Sequence, residues 1–139
     1  PGAAHLGFRA FALSSKAAPY SPHRDAPVPG DNIGMLITDR RSGRSAFYAP
    51  GLGEITPALF DVMSGADAVL VDGTFWTDDE MIGLGLSKKT ARSIGHLPQS
   101  GVGGMIEWLD KLPVRWKSDS TRIASPVSTA TSRLNTPRV

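Results

Sequence analysis

Apolar residues gather along this chain in short clusters parted by turn-forming residues, and no cluster reaches the length of about 20 residues that a membrane-spanning helix needs. Phe8-Arg9-Ala10-Phe11-Ala12-Leu13 reads as a short strand. Pro19, Pro22, Pro27 and Pro29 then mark a loop that closes on the turn residues Gly30-Asp31-Asn32. The apolar run 33–38 predicts a second strand and 45–48 a third, and the polar stretch 39–44 between them predicts an antiparallel hairpin. After a turn at 50–53, Thr56 is placed as an N-cap with Pro57 in the first helical position. Leu59, Phe60 and Met63 recur at helical spacing, and Gly65 is placed to stop that helix. Ala68-Val69-Leu70-Val71 is apolar without alternation, which suits a strand buried on both faces, and it ends on an acid, Asp72. Asp78 is expected to cap a short helix through Ile82, ended by Gly83 and Gly85. Ser100 is expected to open the last helix, with Met105, Ile106 and Leu109 on its apolar side and Pro113 at its end.

Hairpin strands mixed with helix-linked strands predict an α/β (α+β) fold, or a layered α/β sandwich. At 139 residues one domain is expected. The pattern stops at Val114: nine of the last 25 residues are Ser or Thr, and the apolar ones follow no period. The expected division is therefore a domain over 1–114 and an unpacked or disordered basic tail over 115–139. This division changes how the pI of about 9.3 is read. Residues 1–114 carry ten basic and twelve acidic side chains, so the positive excess belongs to the tail. The tail has no aromatic residue after Trp116 to interleave its cations, so a nucleic-acid partner is not expected, and neither is a membrane. The absence of cysteine excludes disulfides, thiolate catalysis and Cys-bound zinc, and is compatible with a cytoplasmic location. The chain starts on Pro1 without an initiator Met or the pattern of a signal peptide, so it is expected to begin within a longer protein.

Two stretches carry candidate chemistry. In Val71-Asp72-Gly73-Thr74-Phe75-Trp76-Thr77-Asp78-Asp79-Glu80-Met81 an acid sits at the end of a buried strand, where a rigid element opens onto a crevice. Asp72 either serves function there or caps a turn through its own Gly73-Thr74. In Ile94-Gly95-His96-Leu97-Pro98-Gln99-Ser100-Gly101 a histidine lies in a loop, as a metal ligand, a general acid–base or a surface residue. The glycines at 101, 103 and 104 lack the Lys-Ser/Thr ending of a phosphate loop. His5 and His23 have no His or acid beside them at metal-ligand spacing, and His23 reads as a surface or turn residue.

Taken together, Phe8–Leu13, Tyr20-Ser21-Pro22-His23-Arg24, the GDNIG run at 30–34, the YAPG run at 48–51, the DGTFWTDDEM run at 72–81, the SKKTARSIGHLP run at 87–98 and the PQSG run at 98–101 resemble the pyrroloquinoline quinone biosynthesis protein B family. The similarity extends from about residue 6 to about residue 114, and DGTFWTDDEM is its most specific part. The resemblance implies part of a metallo-β-lactamase-like αββα sandwich. It implies a role in making pyrroloquinoline quinone (PQQ), as a metal-dependent, iron-linked oxygenase acting on a small Glu/Tyr-containing precursor peptide. Carriage of the cofactor or its precursor is an alternative, with Arg9, Arg24 or Lys88 holding the anion, and a metal-dependent hydrolase of the same fold is another. By the same comparison Asp72 and His96 are the candidate catalytic residues, lying near an iron or zinc ion as outlying ligands or as groups that orient the ligands. The superfamily motif His-x-His-x-Asp-His does not occur here, so this chain by itself is expected to hold no metal tightly, to be inactive and, as part of a sandwich, to self-associate. Where the family continues after its LPV segment with an apolar strand and a His-Ile-Asn-Asn motif, this chain has a different sequence from Arg115 onward.

Overall fold

The structure, a computed structural model, describes residues 3–17, 20–24 and 26–119. Its strands are β1 (Leu6–Ala12), β2 (Ile33–Asp39), β3 (Ser45–Ala49), β4 (Ala68–Val71) and β5 (Trp116–Asp119). They form one sheet in chain order, β1-β2-β3-β4-β5. The first three strands pair antiparallel, and β4 and β5 then run parallel to β3. The switch follows from the connections. A short polar turn can only reverse the chain, whereas α1 (Pro57–Ser64) carries it back to start β4 in the same direction as β3. A longer crossover through α2 (Glu80–Gly83), a 3-10 turn (Arg92–Ile94) and α3 (Met105–Lys111) does the same between β4 and β5.

Local chemistry accounts for most element ends. Thr56 Oγ1 accepts from the Leu59 amide, Pro57 follows, and the Gly65 amide closes α1 onto the carbonyls of Asp61 and Met63. Two expected helix starts are moved. The last helix is capped by Gly104 and not by Ser100, because residues 101–104 form a turn with Gly101 and Gly103 at positive φ. Asp78 does not cap α2, which starts after Asp79; its carboxylate accepts from the Arg92 amide at 2.8 Å and its carbonyl from Ala91 at 2.8 Å. Asp78 thereby closes the loop from 78 to 92 that carries α2.

One face of the sheet is covered. Phe47 and Val69 are register partners, as are Ala49 and Val71. All four are buried in one cluster with Leu59 and Met63 of α1 and Met105 and Leu109 of α3. Gly34 belongs to this packing: a Cβ there would stand 2.7 Å from the Phe47 ring, so only glycine lets β2 lie over it. The opposite face is not covered among the described residues. Strand β4 alternates buried Val69 and Val71 with half-buried Ala68 and Leu70, in place of the burial on both faces that its composition predicts.

Strand β5 lies inside the segment 115–139 that the sequence marks as unpacked. Residues 116–119 pair along the whole of β4. The Lys117 ammonium donates to the carbonyls of Leu109 and Leu112 (2.9 Å to the latter), where α3 ends. A lysine at the register position of Val69 hides the strand from any apolar period, and the helix end supplies its polar partners. The rest of that tail, 120–139, lies outside the described residues.

Candidate active site at the end of strand β4

Asp72 follows β4 directly and is 2% exposed. A bare carboxylate at such depth is costly unless each oxygen is bonded. Oδ1 accepts from the Thr74 amide at 3.0 Å and from the Thr74 hydroxyl at 2.5 Å. Oδ2 accepts from His96 Nδ1. Turn capping and the pairing with His96 are therefore not rivals at Asp72, since each takes one oxygen. Burial on its own raises the carboxyl; the hydrogen bonds from His96 and Thr74, with the His96 charge, outweigh it and hold Asp72 below the ordinary carboxylate value of 3.8.

His96 reaches Asp72 because its loop is fixed at several points. Gly95 turns the chain at φ +94°, and the His96 amide donates to the Ala91 carbonyl at 3.0 Å. The next amide, Leu97, donates to Leu52 at 2.8 Å. The imidazole meets the Phe75 ring edge-on, with centroids 5.5 Å apart. With Nδ1–H given to Asp72, Nε2 is left as the basic nitrogen, and His96 lines a cavity of about 530 Å³.

Gln99 was not singled out from the sequence as part of this site. It is 1% exposed, and its Nε2 donates to the Asp72 carbonyl at 2.8 Å. Its amide donates to Phe75 O at 2.9 Å, while the Ser100 amide and hydroxyl both donate to Trp76 O. The 98–100 segment thus lies along 72–76 as a second clamp. No sequence signal marks it, because glutamine is by default a surface residue, and its burial follows from the contact with the Asp72 backbone.

The other histidines stay apart. His5 bonds Arg41 Nη2 at 3.0 Å, and His23 bonds Asp31 at 3.2 Å. Among the described residues no three His, Asp or Glu side chains converge as metal ligands do. Asp72 already uses both oxygens, which leaves His96 Nε2 as one donor where a transition metal takes four to six. These residues do not by themselves complete a coordination sphere; what they do is fix and polarise one imidazole. The Gly101–Gly104 turn serves structure, since Arg92 Nη2 donates to the carbonyls of Val102 and Gly103 and Glu107 accepts from the Gly103 amide.

A family model described as "Beta-lactamase superfamily domain" matches residues 2–118. Coenzyme PQQ synthesis protein B from Azoarcus sp. is 66% identical over 112 residues, covering 81% of this chain and 37% of that protein. The protein of the same name from Cupriavidus taiwanensis is 64% identical over 105 residues, covering 76% and 34%. Among solved structures, Zn(2+)-bound PqqB from Methylobacterium extorquens aligns with a TM-score of 0.68 at 27% identity, over 81% of this chain and 40% of that one. This chain spans little more than a third of the length of the first two relatives. No helix among the described residues is long and apolar enough to cross a membrane. The mixed sheet with helices packed on one face, the family model over 2–118 and these likenesses agree: the chain belongs to the beta-lactamase superfamily and within it is similar to coenzyme PQQ synthesis protein B.

Proposed function

We propose that this chain serves the biosynthesis of pyrroloquinoline quinone in the cytoplasm, within an oxygenase that acts on a tyrosine-bearing precursor peptide. His96 is its general base and Asp72 the residue that orients it. The observation that carries the reading is the buried Asp72–His96 hydrogen bond at the end of β4, with the imidazole at the wall of a cavity. Asp72 fixes the tautomer that leaves Nε2 free, and it stabilises the imidazolium formed when Nε2 takes a proton. A phenolic hydroxyl that gives its proton to Nε2 becomes a phenolate, and its ring carbons become electron-rich and ready for oxidation. The metal that such an oxidation needs would be held by residues outside the described ones, and the proton step alone is assigned to this chain. A second reading, carriage of the cofactor or its precursor, is favoured by the cavity, which a carrier would use without needing the Asp72–His96 bond.

The test is a hybrid in which this chain's residues replace the matching 112 of the Azoarcus protein, expressed in a PQQ-producing strain that lacks its own protein B. The hybrid should restore PQQ, and H96A and D72N should each lower it by at least about tenfold at equal protein level, within the usual range for losing an acid–base group. Full PQQ output from D72N and H96A would sink the acid–base role and leave the carrier reading. A soluble hybrid that restores none would sink the pathway assignment.

A further inference from the structure

The tip of the loop closed by Asp78 carries apolar side chains that are not covered among the described residues. Ile82, Leu84 and Leu86 are all exposed, the last two at 65% and 74%. Ile82 and Leu86 line a groove of about 570 Å³ together with Gly85, Ser87 and Lys88. Aliphatic residues scattered singly on a surface need no explanation. Here three fall within residues 82–86, and two of them wall the same groove.

This exposure does not come from a loose segment. The Gly83 and Leu84 amides donate to the carbonyls of Asp79 and Glu80 at 2.9 and 3.0 Å. The Leu86 amide reaches back to the Met81 carbonyl at 2.9 Å, across Gly85, which turns at φ +68°. A helix stopped in this way commonly packs the residue after its glycine against the preceding turn, yet Leu86 stays in water. The Lys89 amide donates to Ser87 Oγ at 3.0 Å, and Asp78 holds the amides of Ala91 and Arg92. The backbone is thus bonded internally while the apolar side chains are held outward, so covering them requires little further ordering.

The charges indicate what covers them. From Met81 to Lys89 the only charged side chains are Lys88 and Lys89. Among the described residues neither ammonium is paired with a carboxylate. The acids of the loop stand before the tip: Asp78 and Glu80 accept from the amides of Arg92 and Trp76, and Asp79 lies at the N-terminal end of α2. The groove is therefore apolar with a positive rim.

We propose that this groove docks an acidic, amphipathic polypeptide segment of a partner protein. Apolar side chains of the partner fill the space between Ile82 and Leu86, with Leu84 beside them, and its carboxylates pair with Lys88 and Lys89. The same chemistry fits an anionic membrane less well. Anchoring to anionic lipid by a basic patch uses clusters of about four to eight cations, and this loop offers Lys88 and Lys89 alone. The docking rests on neither residue of the Asp72–His96 pair, so it stands or falls apart from the acid–base role.

The test titrates three fluorescein-labelled synthetic peptides, read by anisotropy, into the full 139-residue chain and into the hybrid. One alternates leucine with glutamate, one leucine with lysine and one serine with glutamate, so that alternation puts each residue type on its own side of an extended peptide. The leucine–glutamate peptide should bind both proteins saturably and at least about tenfold more tightly than either other peptide. The double variants L84S/L86S and K88Q/K89Q should each weaken it by at least about tenfold, with thermal midpoints within about 2 °C of the parent, because exposed side chains contribute little to stability. Added salt should weaken binding to the parent more than to K88Q/K89Q. Absence of saturable binding to the chain, or to the hybrid in which the remaining sequence is present to cover the loop, would overturn the docking site. So would equal affinity for the three peptides, or affinity indifferent to either double variant. Co-sedimentation of the hybrid with phosphatidylserine vesicles, lost in both double variants, would overturn it in favour of a membrane surface.

Discussion

The two faces of the sheet have similar side chains and different surroundings. On one, Phe47, Val69 and Val71 are buried beneath α1 and α3. On the other, Phe8 is 60% and Trp116 62% exposed, and Tyr48 and Ile33 are exposed as well. Register places Phe8 opposite Ile37, Met35 opposite Tyr48 and Tyr48 opposite Leu70, so the open face is a continuous apolar surface. A sheet with one face in water alternates apolar and polar residues along each strand, whereas these strands are apolar on both sides, as in sheets covered twice. The strand sequences therefore specify two covers, and the described residues supply one. Apolar surfaces of this extent mark interaction sites or drive self-association.

Substitutions can grade that contrast. The largest effect is expected from Phe47→Ala, which opens a cavity beneath the helices and should cost about 3–5 kcal/mol in urea unfolding. A loss below about 1 kcal/mol would mean that the helix layer is not packed as described. Asp72→Asn, at the end of the covered face, removes a charge-assisted hydrogen bond and should cost about 1.5–3 kcal/mol at neutral pH. Its pH dependence sharpens the point. The folded carboxyl titrates below its unfolded value of 3.8, so its contribution is complete above 3.8 and is lost as pH falls through the lower folded value. Parent and variant should converge in acid, and a gap that persists well below that range would assign the cost to packing instead.

Gly34→Ala presses a methyl into the Phe47 ring and should cost about 1–3 kcal/mol, with recovery in a double variant that also shortens residue 47. Simple additivity of the two changes would refute the contact. The smallest effect on stability is expected on the open face: Phe8→Lys should change it by less than about 0.5 kcal/mol. The same variant should lower the weight-average mass in sedimentation if the chain self-associates through this face. A cost comparable to Phe47→Ala would show that the face is covered after all.

Much of the fold was legible because short-range chemistry decided it. The hairpin between β2 and β3, the Thr56-Pro57 start of α1 and its stop at Gly65 follow from turn and cap residues that act on their own neighbours. The departures occurred where a distant partner intervened. Asp78 has the right chemistry for a cap, but the Arg92 amide, fourteen residues on, claims its carboxylate. Lys117 breaks every apolar pattern, yet β5 forms because the end of α3 accepts its protons. At the site, Asp72 and His96 were legible as candidates and as neighbours, because Gly73 turns the chain away from the end of β4 and Gly95 and Pro98 hold the returning loop at the same edge; that Thr74 and His96 each take one oxygen of the same carboxylate was decided by the fold.

By itself the sequence determined the first four strands, the first helix, the family and the residue types able to do chemistry, since these rest on local period, capping and a long specific motif. The tertiary structure alone decided which apolar face is covered, that Gln99 supports the Asp72 backbone, and that Lys16 and Arg24 share a cavity with His96. Each of those depends on contacts between residues far apart in the chain, and a periodicity of two or 3.6 residues carries no record of what lies across a gap in space.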